Sequence, residues 1–402
     1  VTLGSPFEAL VGLWAISQVG FMSVMVARSR SRHEEKGTPG PSEPSRRRVL
    51  LVRPVAGLES DLEARLERSA GAPAVMLAVR DESDPGFESA TRASLRLCEG
   101  GTRSKVVLTY ADGPNRKAEQ IARALSRAAR DGLSFDTVVV ADSDVAPSPA
   151  DLDALVGALD GGAKAAYVPV SEAPPPADTK LGDRANVAVL SASPHAFPLL
   201  AGMDGELFVG KLCAIDRAAL EGAGGFEGLT HLLGEDVELE RRLRANGHDV
   251  VPVPRAAVAT RGGRELSDAV ARFARWLGVV RAQRPHLLPT YLFVFASFLP
   301  TLSACLLIGS RGADAAAYGA LLVGAVLFAR LAVAFEGRRI AGLRRGLGVA
   351  FVDVVLADAV LLSALFRAAT SRDVAWRGQV LRVTKGGVAR VGEGAIRRGV
   401  VP

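Results

Sequence analysis

From Leu287 to Gly309 the chain carries no charged residue, a run long enough to cross a hydrocarbon layer of ~30 Å as a helix. A helix that is apolar on every side belongs in lipid or in the centre of a very large protein. The run therefore predicts a membrane protein and limits what the rest of the chain can be. Phe7 to Ala27 is also apolar, apart from Glu8 and Gln18. Ala315 to Phe335 is interrupted only by Arg330, and Gly346 to Phe366 carries Asp353 and Asp358. Arg330 is expected to snorkel from the end of its span. The two aspartates are expected to face protein or water, because a carboxylate in lipid is costly.

Charge sets the expected orientation. Seven basic residues (Arg28, Arg30, Arg32, Lys36, Arg46, Arg47, Arg48) follow the first run, against Glu34, Glu35 and Glu43. By the positive-inside rule that flank is cytoplasmic. No basic region precedes the run and no small-x-small cleavage site follows it, which favours an anchor over a cleaved signal. The chain thus divides into an anchor (1–27), a basic linker (28–48), a cytoplasmic domain (49–285), membrane segments (286–366; about 287–309, 315–335 and 346–366) and a basic tail (367–402). Arg338, Arg339, Arg344 and Arg345 mark a cytoplasmic loop before the last segment, and the tail after it is basic as well. Both flanks of 346–366 cannot be inside if it crosses once, so a re-entrant or interfacial element is expected there.

The mean hydropathy of +0.21 excludes a disordered chain. A net charge of +6 with 5% aromatic residues argues against nucleic acid as a partner. Cys98, Cys213 and Cys305 stand far apart without CxxC or Cys/His spacing, which excludes a disulfide framework or a structural zinc.

Between Val49 and about Arg284 short β-rich runs alternate with helix-period segments. Val49–Val52, Ala74–Val79, Val106–Thr109 and Thr137–Ala141 predict buried strands. Leu58–Arg68, Phe87–Leu97 and Arg116–Arg130 predict the helices between them. The repeat implies an α/β domain with a parallel, Rossmann-like sheet whose ligands bind at the carboxyl ends of the strands. Acidic residues gather at such ends: Asp81 and Asp84 after the second strand, and Asp142-Ser143-Asp144 after the fourth. Glu235-Asp236 opens a later helix expected to stop at Gly247. An Asp-x-Asp pair can share a hard divalent cation that bridges a diphosphate, although acidic turns after strands are common in their own right. No Walker-type loop is present. Arg272-Phe273-Ala274-Arg275-Trp276 places two arginines on one helix face. Taken alone, it reads first as an interfacial helix. The histidines do not cluster at metal spacing. His231, five residues before Asp236, reads as a loop residue.

Order and spacing join these pieces. Asp81/Asp84, Asp142-x-Asp144, Glu235-Asp236 and Arg272-x-x-Arg275-Trp276, all ahead of C-terminal membrane runs, resemble the D, D, D, (Q/R)xxRW signature of membrane glycosyltransferases of families 2 and 21. Leu51 to Gly57 looks like the first-strand KPLKG segment of the ceramide glucosyltransferase branch. Asp81 to Pro85 looks like its DxxDP turn, and Asn115-Arg116-Lys117 like its NPK. Gly210 to Cys213 and Gly224-Gly225 sit where that branch has GxSC and GG. The full Asp-x-Asp departs from that branch, where a single Asp is followed by Ser and Gly. The resemblance implies a GT-A-type domain that moves a hexose, with inversion, from a UDP-sugar to a membrane lipid. It makes Asp81 or Asp84 the contact for uracil or ribose. It gives Asp142 and Asp144 to Mg²⁺ or Mn²⁺, with Lys117 near the phosphates. Asp236 becomes the base, and Arg272, Arg275 and Trp276 line the acceptor and diphosphate side. UDP-glucose with ceramide is the first expectation. A hopanoid acceptor with UDP-GlcNAc is the alternative, and a non-catalytic nucleotide-sugar binder is the rival from another class. The Ala/Arg/Gly-rich composition resembles a bacterial chain, which implies the inner membrane.

Overall fold

The structure is a computed structural model that describes residues 5–34, 45–59, 61–174, 179–203, 208–260, 262–376, 379–384 and 387–390. Much of the linker and the end of the tail therefore lie outside the described residues. α1 (Pro6–Glu34) leads into β1 (Val49–Pro54), α2 (Leu62–Glu67), β2 (Ala74–Val79), α3 (Phe87–Glu99), β3 (Arg103–Leu108), α4 (Arg116–Arg130) and β4 (Thr137–Ala141). These strands and helices match the periodicity, and all four strands run parallel. But β3, expected as a buried strand over Val106–Thr109, is instead a partly exposed edge strand, because nothing among the described residues pairs beyond it in the sheet. β4 is buried along its whole length, as expected for a strand covered on both faces.

α5 (Pro149–Asp160), β5 (Ala165–Tyr167), β6 (Val170–Ala173), α6 (Leu181–Ala192), α7 (Phe197–Leu200), β7 (Leu212–Asp216), α8 (Arg217–Gly222), α9 (Glu235–Ala245), β8 (Val250–Pro252), β9 (Ala257–Thr260) and α10 (Leu266–Gln283) complete the domain. The main sheet has the order β3-β2-β1-β4-β7-β5-β8. It is mixed rather than wholly parallel, because β7 runs antiparallel to both β4 and β5. Alternate residues of the strands feed two apolar layers. Leu50, Val52, Val138 and Val140 meet α4 and α9, while Leu51, Val139 and Ala141 meet α2, α3 and α5. A small parallel pair, β6 and β9, lies beside the main sheet.

Helix ends follow local chemistry. Asn115 caps α4 by accepting the Ala118 N–H at 3.0 Å. Ser148 and Asp151 form a reciprocal capping box on α5. α9 begins with Glu235, Asp236 and Glu238, carboxylates that the helix dipole favours at that end. It stops where Gly247 takes φ 76°.

α11 (Phe298–Gly309), α12 (Ala313–Ile340) and α13 (Leu347–Thr370) follow, and then a three-stranded antiparallel sheet of β10 (Asp373–Trp376), β11 (Gln379–Thr384) and β12 (Gly387–Arg390). α1, α12 and α13 are each long and apolar enough to cross a membrane. The segment 346–366 lies within one continuous helix, α13, and a bend falls in the charge-free run, where Pro285–Phe295 and Phe298–Gly309 meet at 64°. Polar side chains of the other three helices hold that break. Trp14 Nε1 donates to the Phe293 carbonyl at 2.8 Å and Arg330 Nη1 to the Phe295 carbonyl at 2.7 Å. The Leu299 N–H donates to Asp358 at 2.9 Å. Arg330 does not snorkel; it is fully buried and pairs with Asp358 at 2.8 Å. A guanidinium ten residues from the helix end is better served by a carboxylate and a freed backbone carbonyl than by a distant headgroup. Asp353 pairs likewise with Arg338.

Candidate active site

The site lies at the carboxyl ends of β1, β2 and β4. Arg53, near the end of β1, is fully buried. It donates to the carbonyls of Arg65 (2.7 Å) and Asp142 (3.0 Å), to Ser69 Oγ (3.0 Å) and to the Val145 carbonyl. Its planar fork thus clamps the loop that carries Asp142 and Asp144 from below. Burial lowers its pKa to about 10, so it remains charged at neutral pH. From the far side, the Asp142 N–H donates to the Lys211 carbonyl at 2.8 Å. Arg53 belongs to the segment that resembles the family's first strand, but nothing in the linear sequence marks it as the clamp.

Lys117, in the first turn of α4, gathers three predicted positions. Its Nζ lies 2.9 Å from Asp142 and 3.2 Å from Glu235, and donates to the Gly210 carbonyl at 3.0 Å. Burial opposes its charge, but Asp142, Glu235 and Asp236 outweigh that and raise its pKa. Asp236 sits beside this lysine at the start of α9. Its carboxylate accepts the N–H of Gly210 at 3.3 Å and of Val237 at 3.0 Å. A Cβ at position 210 would come within 2.8 Å of the Asp236 Cβ, so only glycine allows this approach. Burial and the neighbouring Glu235 push Asp236 up to about 6, against Lys117 and the two N–H groups. Asn115 fixes Glu235 by donating to its Oε2 at 3.0 Å.

The second half of the site turns on Glu172, a β6 residue that the sequence reading does not single out. It is 3% exposed and faces Arg272 at 2.5 Å, Arg264 at 3.3 Å and Lys211 at 3.8 Å. Burial works against its charge, yet the three cations lower its pKa to about 2. Lys211 also reaches Asp144 at 2.5 Å, which links the Asp-x-Asp loop to the signature helix. Arg272 donates to Asn186 Oδ1 at 2.8 Å and lies over the Trp276 ring at 4.9 Å. Its pKa is raised: burial opposes its charge, and Glu172, Asp144 and Asp142 prevail.

Trp276 therefore pairs with Arg272, one helical turn away. Arg275 lies under Trp376 of β10, 5.9 Å from the ring centre. Trp276 also joins Phe197 and Phe273 around His195, an imidazole that burial holds at a pKa of about 4. Asp84 accepts the N–H groups of Gly57 (2.8 Å) and Gly86 (2.9 Å), tying the loop after β1 to the turn after β2. Asp81 accepts the Ser83 N–H at 2.9 Å. His231 is a loop residue whose carbonyl accepts the Val388 N–H of β12 at 2.8 Å. The structure thus brings Lys117, Asp142 and Asp236 together. It joins Asp144 to Arg272 through Lys211 and Glu172.

The family model described as glycosyl transferase family 21 matches residues 12–389. The chain belongs to glycosyl transferase family 21. No curated protein matches it significantly. Among solved structures it is similar to a mannosyltransferase from Pyrobaculum calidifontis, determined with GDP-Man and Mn²⁺. That match has 18% identity and a TM-score of 0.46, and covers 90% of this chain and 99% of the other. It is also similar to glucosyl-3-phosphoglycerate synthase of Mycobacterium tuberculosis, determined with Mg²⁺ and UDP. Here identity is 21% and the TM-score 0.36, with 59% of this chain and 79% of the other covered. The family match establishes glycosyl transfer as the activity class.

Proposed function

We propose that this family 21 glycosyltransferase moves a hexose from a UDP-sugar to the hydroxyl of a membrane lipid, with inversion, and that UDP-glucose and ceramide are the pair to test first. The observation that carries this reading is the cluster of Asp236, Glu235, Lys117 and Asp142. It sets a carboxylate with a pKa of about 6 beside a buried ammonium and an acidic loop. Asp236 accepts the proton of the acceptor hydroxyl while that oxygen bonds to the anomeric carbon. The bond from that carbon to the diphosphate oxygen breaks, and UDP leaves with the electron pair. A single base suffices because no covalent intermediate forms.

Among the described residues no three His, Cys, Asp or Glu side chains gather as a metal cage. Asp142 and Asp144 nevertheless fit Mg²⁺ or Mn²⁺. Both are hard oxygen donors, and such ions are commonly held by one or two carboxylates plus substrate phosphates and water. When bound, the ion would offset the charge growing on the diphosphate. Lys117 and Lys211, now on Asp142 and Asp144, supply fixed positive charge on the same side. Asp84 and Asp81 are assigned to the uridine end, and Arg272, Arg275 and Trp276 to the diphosphate and acceptor side. The basic residues around the first and last membrane segments support a cytoplasmic domain in a bacterial inner membrane.

The test is UDP release by membranes given UDP-glucose with ceramide or with a hopanoid, comparing wild type with Asp236→Asn. Release with ceramide that is lost in the variant supports the proposal. Release only with hopanoid, or only with UDP-GlcNAc, replaces the acceptor or donor. UDP binding without release from any pair overturns catalysis in favour of a binding protein.

A further inference from the structure

α13 has the length and composition of a membrane span, yet both of its ends are fastened to the catalytic domain. Before it, α12 ends so close to α6 that a Cβ on Gly337 would lie 2.1 Å from the Ser191 carbonyl. Arg338 holds the connecting loop through the Arg344 carbonyl at 2.7 Å and reaches Asp353 in α13. After it, Arg281 of α10 donates to the carbonyls of Ala368 and Ser371. β12 then bonds to His231 at 2.8 Å, and Leu381, Val383 and Val388 pack on Leu233. Between these ends Val360, Leu361 and Ala364 pack with Val189 of α6 and with Phe273 and Leu277 of α10.

We infer that α13 does not cross the bilayer but lies in the plane of the leaflet on the catalytic domain's side. The direction of the other helices argues against a crossing. α1 and α12 run side by side in the same direction, with Arg311 on Glu8 (3.2 Å) near one end and Arg30 on Glu336 (3.1 Å) near the other. Arg32 of α1 bonds to the Ala201 carbonyl of the catalytic domain, so that second end is the domain side, and α12 delivers the chain there. A crossing by α13 would carry β10–β12 to the opposite face, away from the loop to which β12 is bonded.

The occupant of the outer face is the lipid leaflet. Phe351, Val352 and Phe366 are 43%, 57% and 72% exposed, and with Ala359 they follow helical spacing along one stripe. Arg344 and Arg345 precede the helix, and Arg367 and Arg372 close it. Basic residues at both ends of an apolar stripe complement anionic headgroups. The placement also sets α10, with Arg272 and Trp276, one helix away from lipid. It explains why both flanks of the segment are basic, and it does not depend on which donor or acceptor is used.

The test is sidedness followed by depth. Cys98 is exposed, whereas Cys213 and Cys305 are buried, so Cys98 marks the catalytic face. In sealed vesicles of each orientation, a membrane-impermeant maleimide is expected to reach Arg345→Cys and Thr384→Cys (each in a Cys98→Ser background) from the face that exposes native Cys98. Ser310→Cys is expected to react from the other face. Labelling of Thr384→Cys from the Ser310 side overturns the inference. Nitroxides at Val352→Cys, Ala359→Cys and Phe366→Cys, read by oxygen against a nickel chelate, are expected at one shallow depth. A maximum at Ala359 with shallower neighbours would mean a span.

Discussion

The Lys117 ammonium lies 2.9 Å from the Asp142 carboxylate and contributes to holding the Asp236 pKa down. One buried cation therefore serves the Asp-x-Asp loop and the proposed base together. Residues 25 and 119 positions apart in sequence become one electrostatic unit, and its parts should not act independently when altered.

Asp236→Asn keeps the side-chain volume and one of the two backbone hydrogen bonds, since the Gly210 and Val237 N–H groups go to different carboxylate oxygens, but it cannot accept a proton. Loss of a general base lowers kcat by roughly 10²–10⁴-fold. UDP affinity should hold, which separates the base from a binding residue. Calorimetric UDP titration beside a turnover assay checks both halves.

The base works ionised. Its pKa of about 6 therefore predicts activity that falls as pH drops through about 6, rather than through the ordinary aspartate range near 4. Lys117→Met removes a charge that favours the ionised form, so the acid limb should move to higher pH. A pH–rate profile in which wild type and variant coincide would count against the coupling.

Glu172→Gln leaves Lys211, Arg264 and Arg272 around a neutral group. Breaking a buried pair by removing one partner typically costs about 3–5 kcal/mol, and a clear fall in Tm in detergent is expected. Because the folded-state pKa is depressed to about 2, this contribution is present above the ordinary glutamate pKa and is lost as pH falls through about 2. Wild-type and variant Tm values should converge in strong acid.

Arg330→Ala leaves Asp358 buried without its cation and should destabilise by about 3–5 kcal/mol. Replacing both, Arg330→Leu with Asp358→Leu, should recover much of that loss. The remaining deficit is assigned to the Phe295 carbonyl and the Leu299 N–H at the bend. Urea or thermal unfolding of wild type and the two variants in lipid nanodiscs measures the difference.

β1, β2, β4 and their helices were legible because a strand buried on both faces must be apolar throughout and an amphipathic helix must repeat every 3.6 residues, whereas β3, a half-exposed edge strand, showed only its apolar end. β5, β7 and β8 escaped the strand pattern. β5 and β8 have only three residues each, and the direction of β7 is set by its partners. The acidic positions stood out because they follow the carboxyl ends of strands. Arg53 and Glu172 were missed for a physical reason: each is a charged residue inside a strand, and only its three-dimensional neighbours distinguish a clamp from an edge residue.

Sequence alone marked off an apolar N-terminal helix, an α/β region and later apolar helices, because hydropathy and residue period are properties of neighbours along the chain. It also carried the acidic motifs whose order resembles the signature of membrane glycosyltransferases. Tertiary structure alone decided which arginine meets Trp276, which carboxylate holds Arg272, and where the membrane run bends. Each of those outcomes depends on burial, and burial brings together residues from segments far apart in the chain.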